Sequence, residues 1–243
     1  MSRIALISDI HANIDALESV FRDIEHTGAD EIYCLGDIVG YGAAPAECVQ
    51  LVQEYCSVTV KGNHDELVTQ KGIIEYGERV AAPLRLARKY LSEEQLKWLQ
   101  DLPLTHQNDD FTIVHARLDH PEEFSYLQDE EDARKHFQFQ EPQITFLGHT
   151  HVPLIAIKGR EKISLKEPSM QALKLEEGFR YAVNVGSVGQ PRDDYPRSCY
   201  GLFDTDECLV MIRRVSYDIK NAQARIQQAG LPYSNATRLA KGQ

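Results

Sequence analysis

Eight polar residues of this chain fall into five short clusters whose side-chain types suit metal chemistry. They are Asp9 with His11, Asp37, Asn63 with His64, His115, and His149 with His151. Imidazole, carboxylate and an amide oxygen, with no thiolate among them, make a donor set for divalent ions such as Mn, Fe, Zn or Ni. Asp9/His11 and His149/His151 are i, i+2 pairs, which in extended chain point to one side. The set is large enough for two ions if one carboxylate is shared. Two ions ~3.5–4 Å apart can clamp the attacking and leaving oxygens of a phosphoryl transfer and lower the pKa of a bound water. Taken singly the clusters say little: an isolated Asp-x-His is common, and Gly-Asn-His-Asp is also turn chemistry. His26, His106 and His120 belong to no cluster and read as solvated or satisfied histidines.

The elements that must position these residues are short apolar runs, each ending where a cluster begins. Arg3–Ser8 precedes Asp9, Glu31–Leu35 precedes Gly36-Asp37, and Ser57–Val60 precedes Gly62-Asn63-His64-Asp65. Phe111–Val114 precedes His115, and Ile144–Leu147 precedes Gly148-His149-Thr150-His151. Runs of four to six residues rich in Ile, Val, Leu, Phe and Tyr read as buried strands. Ligand sites in open α/β sheets lie at the carboxyl ends of strands, so all five runs aim their polar residues at one place.

Ile14, Leu17, Val20, Phe21 and Ile24 recur at helical spacing after the first run, and residues 46–55 do so after the second. The β-α-β-α-β alternation predicts right-handed crossovers and a largely parallel sheet in this half. Residues at about 66–101 hold no convincing strand. Arg79–Tyr90 is expected to be helical, Ser92 and Gln95 have capping-box spacing, and the segment reads as a helical cap beside the sheet. Asp129–Phe139 predicts one more helix. After His151, short strands are expected at 154–158, 162–165, 171–175, 180–185, 199–203 and 209–215, with a hairpin turn at 204–207. Antiparallel pairing of these strands would build a second sheet. A terminal helix over 217–229 should stop at Gly230 and Pro232. One domain spanning 1–243, with two stacked sheets, is the simplest account.

Composition excludes several classes. With 42% hydrophobic and 26% charged residues in 243, the chain is globular and can bury a core without staples. Its net charge of −11 argues against binding long nucleic acid, whose affinity comes from a basic surface. No apolar run approaches the ~20 residues of a membrane span, and the first residues lack a signal-peptide pattern. The five cysteines are scattered without a Cys-x-x-Cys and read as reduced, mostly buried thiols, so the cytoplasm is the expected compartment.

Taken together, Asp9-x-His11, Gly36-Asp37, Gly62-Asn63-His64-Asp65, the strand ending in His115, and Gly148-His149-x-His151 resemble the calcineurin-like metallophosphoesterase superfamily. The stretch from Asn184 to Arg192, Gly230-Leu231-Pro232 and Arg238-Leu239 resemble its bacterial branch of small phosphodiesterases and diadenosine-tetraphosphatase-like enzymes. The resemblance implies an α/β fold, a four-layer α/β/β/α sandwich of two mixed sheets. It implies that Asp9, His11, Asp37 and His151 hold one metal, and that Asp37 bridges to a second held by Asn63, His115 and His149. Hydroxide between the metals would attack phosphorus in line. His64 resembles the residue that contacts phosphate and protonates the leaving oxygen. Asp65 could orient His64, or cap a helix instead.

The segment Gly36 to Gly42 lacks the arginine that protein Ser/Thr phosphatases carry there, which disfavours that activity. Tyr41 could stack on a base or simply cover the cleft edge, and Arg192 could hold a second phosphate or make a surface salt bridge. Asn13 joins these two as a substrate-binding candidate. The residues after His115, Ala116-Arg117-Leu118-Asp119, depart from the pattern of small relatives and leave substrate access open. Gly186-Ser187-Val188-Gly189 lacks the Lys-Ser/Thr of a P-loop and reads as a tight turn near the metals. The expectation is a two-metal phosphoesterase acting on a small phosphodiester or dinucleoside polyphosphate. A phosphomonoesterase or protein phosphatase is the alternative, and a non-catalytic scaffold of the same fold is disfavoured because every ligand position is filled. The expected partner is a small phosphorylated substrate such as a nucleotide, and a homo-oligomer is left open.

Overall fold

In the computed structural model, which describes residues 3–70, 76–169 and 171–243, the first apolar run forms strand β1 (Arg3–Ile7). Helix α1 (Ile14–Thr27) begins where the Asn13 side chain accepts from the Ala16 N–H and ends at Gly28, in the left-handed region with φ 67°. Strand β2 (Glu31–Cys34), helix α2 (Pro45–Tyr55) and strand β3 (Val58–Thr59) follow, with Pro45 in the first helical turn, where its missing N–H costs nothing. Three helices come next: α3 (Asn63–Thr69), α4 (Glu78–Tyr90) and α5 (Glu93–Asp101). At the start of α5, Ser92 and Gln95 form the expected reciprocal cap, each side chain accepting the other's N–H at 3.1 Å. Residues 71–75 of the anticipated helical segment lie outside the described residues, as do Met1 and Ser2.

The second half opens with β4 (Thr105–Gln107) and β5 (Phe111–Val114), then α6 (Glu130–Phe139) and β6 (Ile144–Leu147). Strands β7 (Leu154–Lys158), β8 (Ile163–Lys166), β9 (Leu173–Lys174), β10 (Arg180–Asn184), β11 (Ser198–Asp204) and β12 (Leu209–Val215) follow. Helices α7 (Ile219–Gln228) and α8 (Tyr233–Leu239) complete the order. The sequence pattern anticipated one terminal helix stopped at Gly230; after that stop the chain starts a second helix at Tyr233.

Two six-stranded mixed sheets result, ordered β3-β2-β1-β11-β12-β9 and β4-β5-β6-β10-β7-β8. Two expectations need correction. The five cluster-bearing runs do not share a sheet: β1, β2 and β3 run parallel in the first, whereas β5 and β6 run parallel in the second. Nor do the later strands build one sheet alone. Strand β11 pairs antiparallel with β1 and carries β12 and β9 into the first sheet, while β10 pairs parallel with β6 and carries β7 and β8 into the second. The turn between β11 and β12 falls as expected, with the Glu207 N–H donating to Asp204 at 3.0 Å.

Strand alternation explains the layers. Along β1, Ile4 and Leu6 face the other sheet and share a core with its Phe111 and Phe146 and with Phe203 of the adjacent β11, while Ala5 and Ile7 face the helices. Residues of α1, α2, α4 and α5 cover the outer face of the first sheet, and Ala133 and Phe137 of α6 cover the second. Because β1 is apolar on both faces, the polar residues that follow it gather at its end. The carboxyl ends of β1, β2, β3, β5 and β6 meet along one edge of the sandwich.

Candidate metal centre

At that edge the chain leaves each strand through a backbone conformation that non-glycine residues rarely adopt. Asp9, His11, Ala12, Asp37, His149 and His151 all have φ between 50° and 68°. Such residues cost of order 1–3 kcal/mol each and persist only where neighbours over-determine them. Here the Asp9 N–H donates to the Gly36 carbonyl at 3.0 Å, His11 to Asp37 at 2.9 Å and Ala12 to Ile38 at 2.8 Å, so the turns after β1 and β2 brace each other. The Gly186–Gly189 turn braces them from the other side. Val188 and Gly189 donate to the Ser8 and Asp9 carbonyls at 2.9 Å, and the Ser187 hydroxyl donates to Asp9 O at 2.8 Å. That turn therefore lies beside the cluster, as its composition suggested.

The two carboxylates share a design. Asp9 Oδ2 accepts the His149 N–H at 2.9 Å, and Asp37 Oδ1 accepts the His64 N–H at 2.8 Å. Each aspartate thus spends one oxygen on a backbone donor and aims the other at the histidines. Asp9 Oδ1 lies 3.2 Å from His151 Nε2, and Asp37 Oδ2 lies 3.5 Å from His115 Nε2 and 3.6 Å from His11 Nε2. Gly62 permits the approach: a Cβ there would stand 2.2 Å from Asp37 Oδ1.

Three histidines are oriented by their outer nitrogens. Nδ1 of His11, His115 and His151 donates to the carbonyls of Val39, Leu35 and Gln190 at 3.0, 2.7 and 2.6 Å. That fixes the tautomer and turns each Nε2 lone pair inward, as metal-ligating histidines are held. Nε2 of His11 and of His151 then face each other at 3.0 Å, and His115 Nε2 faces His149 Nδ1 at 3.1 Å. Opposed lone pairs repel unless a cation or a proton lies between them. Two buried acceptors, Asp9 Oδ1 and Asn63 Oδ1, also have no hydrogen-bond partner, which a water-excluded site tolerates badly. Both observations fit a cation.

The geometry sorts the residues into two groups whose ligand atoms lie within 4.8 Å of one another. One is Asp9, His11, Asp37 and His151; the other is Asp37, His115 and His149. Asp37 belongs to both. Electrostatics favours the forms that bind metal. Burial and the nearby His151 hold His11 well below the ordinary histidine value, and burial with His115 brings His149 down to about 3. Burial is the largest influence and pushes both aspartates up, but the surrounding histidines together outweigh it, His151 and His115 at Asp9 and His115, His64 and His11 at Asp37, so both end below the usual carboxylate range. His115 is the exception: burial lowers it, yet Asp37 carries it to about 9.

His64 packs edge-on to His11 at 4.9 Å and tilted to Tyr41 at 4.7 Å between ring centroids. Its Nδ1 is buried with no hydrogen-bond partner. Asp65 does not orient it. The Asp65 carboxylate instead accepts the N–H groups of Asp37, Ile38, Val39 and Gly62 at 2.7–3.3 Å, because α3 carries it under the turn after β2. Asp65 therefore shapes the turn that presents Asp37 and joins the Gly62 end of α3 to it. Asn13 is also engaged elsewhere: its amide accepts from Ala16 and donates to the Gly189 carbonyl at 2.8 Å, which leaves it little to offer a substrate. Tyr41 and Arg192 do stand at the site. The Tyr41 ring lies 4.6 Å from that of His11, and Arg192 Nη2 donates to the Tyr41 hydroxyl at 3.3 Å.

Sequence reading missed three residues here. Phe124 and Tyr126 pack on His149, the latter with ring centroids 4.4 Å apart, and Arg238 lies over Tyr41. No residue pattern marks Phe124 or Tyr126, which sit on an irregular segment. Arg238 lay within the stretch singled out near the end of the chain, without a role. The five cysteines are free thiols, and Cys34, Cys48 and Cys199 are buried as expected. Among the described residues no helix is long and apolar enough to cross a membrane.

A two-sheet sandwich that gathers two N/O ligand groups around one shared aspartate defines a class of metal-dependent phosphoric ester hydrolases. This chain belongs to the calcineurin-like phosphoesterase superfamily, whose domain matches residues 2–208. It is 38% identical over 248 residues to the uncharacterized protein MJ0912 of Methanocaldococcus jannaschii, covering 99% of this chain and 98% of that one. The crystal structure of a metallophosphoesterase from Sphaerobacter thermophilus superposes with a TM-score of 0.89 at 37% identity, covering 100% of this chain and 99% of that one. Phosphodiesterase YfcE of Escherichia coli is 24% identical over 226 residues, or 87% of this chain and 92% of that one.

Proposed function

We propose that this chain hydrolyses a small phosphodiester or a dinucleoside polyphosphate at a centre of two transition-metal ions. The observation that carries the reading is Asp37, whose one free oxygen faces both ligand groups. Asp9, His11, Asp37 and His151 would hold one ion, and Asp37, Asn63, His115 and His149 the other. Mn, Fe, Zn and Ni all suit this donor set. When bound, such a pair supplies an activated water and draws charge from the phosphoryl oxygens.

The chain's own residues do the rest. Carbonyls of Leu35, Val39 and Gln190 hold three imidazoles with their lone pairs inward, so little reorganisation accompanies binding. His64 stands beside Asp37 and edge-on to His11, placed to bind a phosphoryl oxygen and to give a proton to the leaving oxygen. Asp65, through the Asp37–Val39 backbone, keeps the shared carboxylate in register. The relative named as a phosphodiesterase supports the choice of a diester.

A substrate panel tests the reading. Metal-reconstituted protein is assayed with bis(4-nitrophenyl) phosphate, 4-nitrophenyl phosphate, diadenosine tetraphosphate and a phosphopeptide. The expected result is a higher kcat/KM for the diester or the tetraphosphate than for the monoester and the phosphopeptide. A preference for either of the last two would overturn it.

A further inference from the structure

The rim of the metal centre is electrically lopsided. On the flank of Asn63 and His149, a cavity of about 370 Å³ is lined by Glu66, Glu122 and Glu123 together with Phe124. On the opposite flank, past His11 and His64, stand Tyr41, Arg192 and Arg238. The Arg192 and Arg238 guanidinium carbons lie 5.6 and 5.9 Å from the Tyr41 ring centroid, so two cations share one aromatic ring.

No Asp or Glu side chain pairs with either arginine among the described residues. Other arginines of the chain, by contrast, are held by carboxylates. Arg117 pairs with Asp119 and Asp132, Arg213 with Asp23, and Arg214 with Asp193. Arg192 donates to Tyr41 and to the Gln190 amide at 3.3 and 3.1 Å, while its Nε is buried without any partner. Arg238 donates through Nε to the Gln243 oxygen. Burial above all, and then the like charges of Arg192 and Arg79, lowers Arg238 to about 10. A chain of net charge −11 could relieve that repulsion with one acidic side chain and places none there.

The arrangement is built. Tyr41 lies between Gly40 and Gly42 with φ 52°, and its carbonyl accepts from the buried Asn235 amide at 3.2 Å. The same amide donates to the Arg79 carbonyl at 2.9 Å, which ties α8 to α4. Asn235 and Arg238 are three apart on α8, so they share the face that meets the Tyr41 turn. Arg192 is fixed at its backbone, where its N–H donates to the carbonyl of His151, a member of the first ligand group, at 3.2 Å.

We propose that Arg192 and Arg238, seated on Tyr41, form a subsite for a second phosphoryl group of the substrate, next to the one that is cleaved. This rests on the phosphoesterase reading and narrows its substrate class to compounds with adjacent phosphates. Planar guanidinium groups bind phosphate through paired charge-assisted hydrogen bonds, and the acidic flank across the centre repels the same group.

The test compares two inhibitors of bis(4-nitrophenyl) phosphate hydrolysis at a fixed free Mn²⁺ concentration: methylphosphonate and methylenediphosphonate. Metal chelation differs between the two inhibitors but is the same for every variant, so comparing the ratio of inhibition constants between variants cancels it. Wild type should bind the bisphosphonate at least about tenfold tighter, and Arg192→Gln and Arg238→Gln should each lose about tenfold of that advantage. Arg238→Lys should keep part of it, which separates lost charge from lost folding. Arg160→Gln, at an exposed position in the turn between β7 and β8, should keep all of it. An advantage absent in wild type, or intact in both glutamine variants, would overturn the subsite and leave the phosphoesterase reading standing. If loaded wild type fails to hydrolyse the diester, that reading falls; calorimetric binding of methylenediphosphonate to wild type and Arg238→Gln then decides the subsite by itself.

Discussion

Asp9 and Asp37 look alike in sequence, each following an apolar run, and each has one oxygen tied to a backbone N–H. They differ in reach: Asp9 faces one ligand group, whereas Asp37 faces two. Asp37→Asn should therefore lower metal content at both groups, while Asp9→Asn should lower it at one. Elemental analysis after gel filtration reads the difference, and two ions per chain retained in Asp37→Asn would refute the bridging role. His64 separates two roles by leaving group. If it donates a proton, His64→Ala keeps both ions, because Asn63 and His115 remain. The variant should then lose ~10²–10⁴-fold on an alkyl diester but far less on a nitrophenyl ester, whose leaving group departs unaided. A uniform loss with both ions in place would leave His64 as a phosphate-positioning residue only.

Strand ends made most of the centre legible, since each cluster follows an apolar run and ligand edges lie at carboxyl ends. The partition of strands between sheets was not legible. Nothing in the residues of β11 says that it lies beside β1, because an antiparallel neighbour can arrive from any later segment. Asp65 was legible in part: it caps α3 by accepting the Gly62 N–H, one of the two roles its position suggested, but its other partners are backbone N–H groups of 37–39, which have no sequence signature. The segment after His115 shows what an element contributes. His136 on α6 is buried, and its Nδ1 accepts the Leu118 N–H at 3.3 Å, with Arg117 alongside. Burial, then the Arg117 charge, lowers it to about 3 from the ordinary 6.5. Folding therefore favours the neutral ring. Its contribution is fully present above pH 6.5 and is lost as the pH falls from there toward 3, because the unfolded chain takes up the proton first. At pH 5 the loss is about 2 kcal/mol, from 1.5 units at ~1.36 kcal/mol each. Between pH 7 and pH 5, wild type should lose more stability in urea than His136→Asn does. Equal slopes for the two proteins would mean that His136 is not the group responsible.

Across the whole molecule, the sandwich gathers in its two ligand groups two buried carboxylates and four buried or nearly buried imidazoles, where two sheets and several turns meet. Left to themselves these groups repel or go unpaired, as the orphaned Asp9 and Asn63 oxygens and the facing lone pairs show. A centre that binds the folded chain and not the unfolded one adds its binding free energy to stability, about 2.7 kcal/mol per site at a hundredfold excess over Kd. For a chain of this size each kcal/mol moves Tm by ~2–4 °C. One occupied site is thus worth on the order of 5–10 °C. Chelation followed by desalting should lower Tm by at least that much, and back-titration with Mn²⁺ should restore it. Because the turns that carry Asp9, Asp37, His149 and His151 come from both sheets, the loss should be global rather than local. Amide exchange should then quicken in β1 and β6 together, not in the surface loops alone. A chelated protein with unchanged Tm, and no bound ion by elemental analysis before chelation, would mean that the strained turns are held by packing alone and that the cluster does not need a metal to fold.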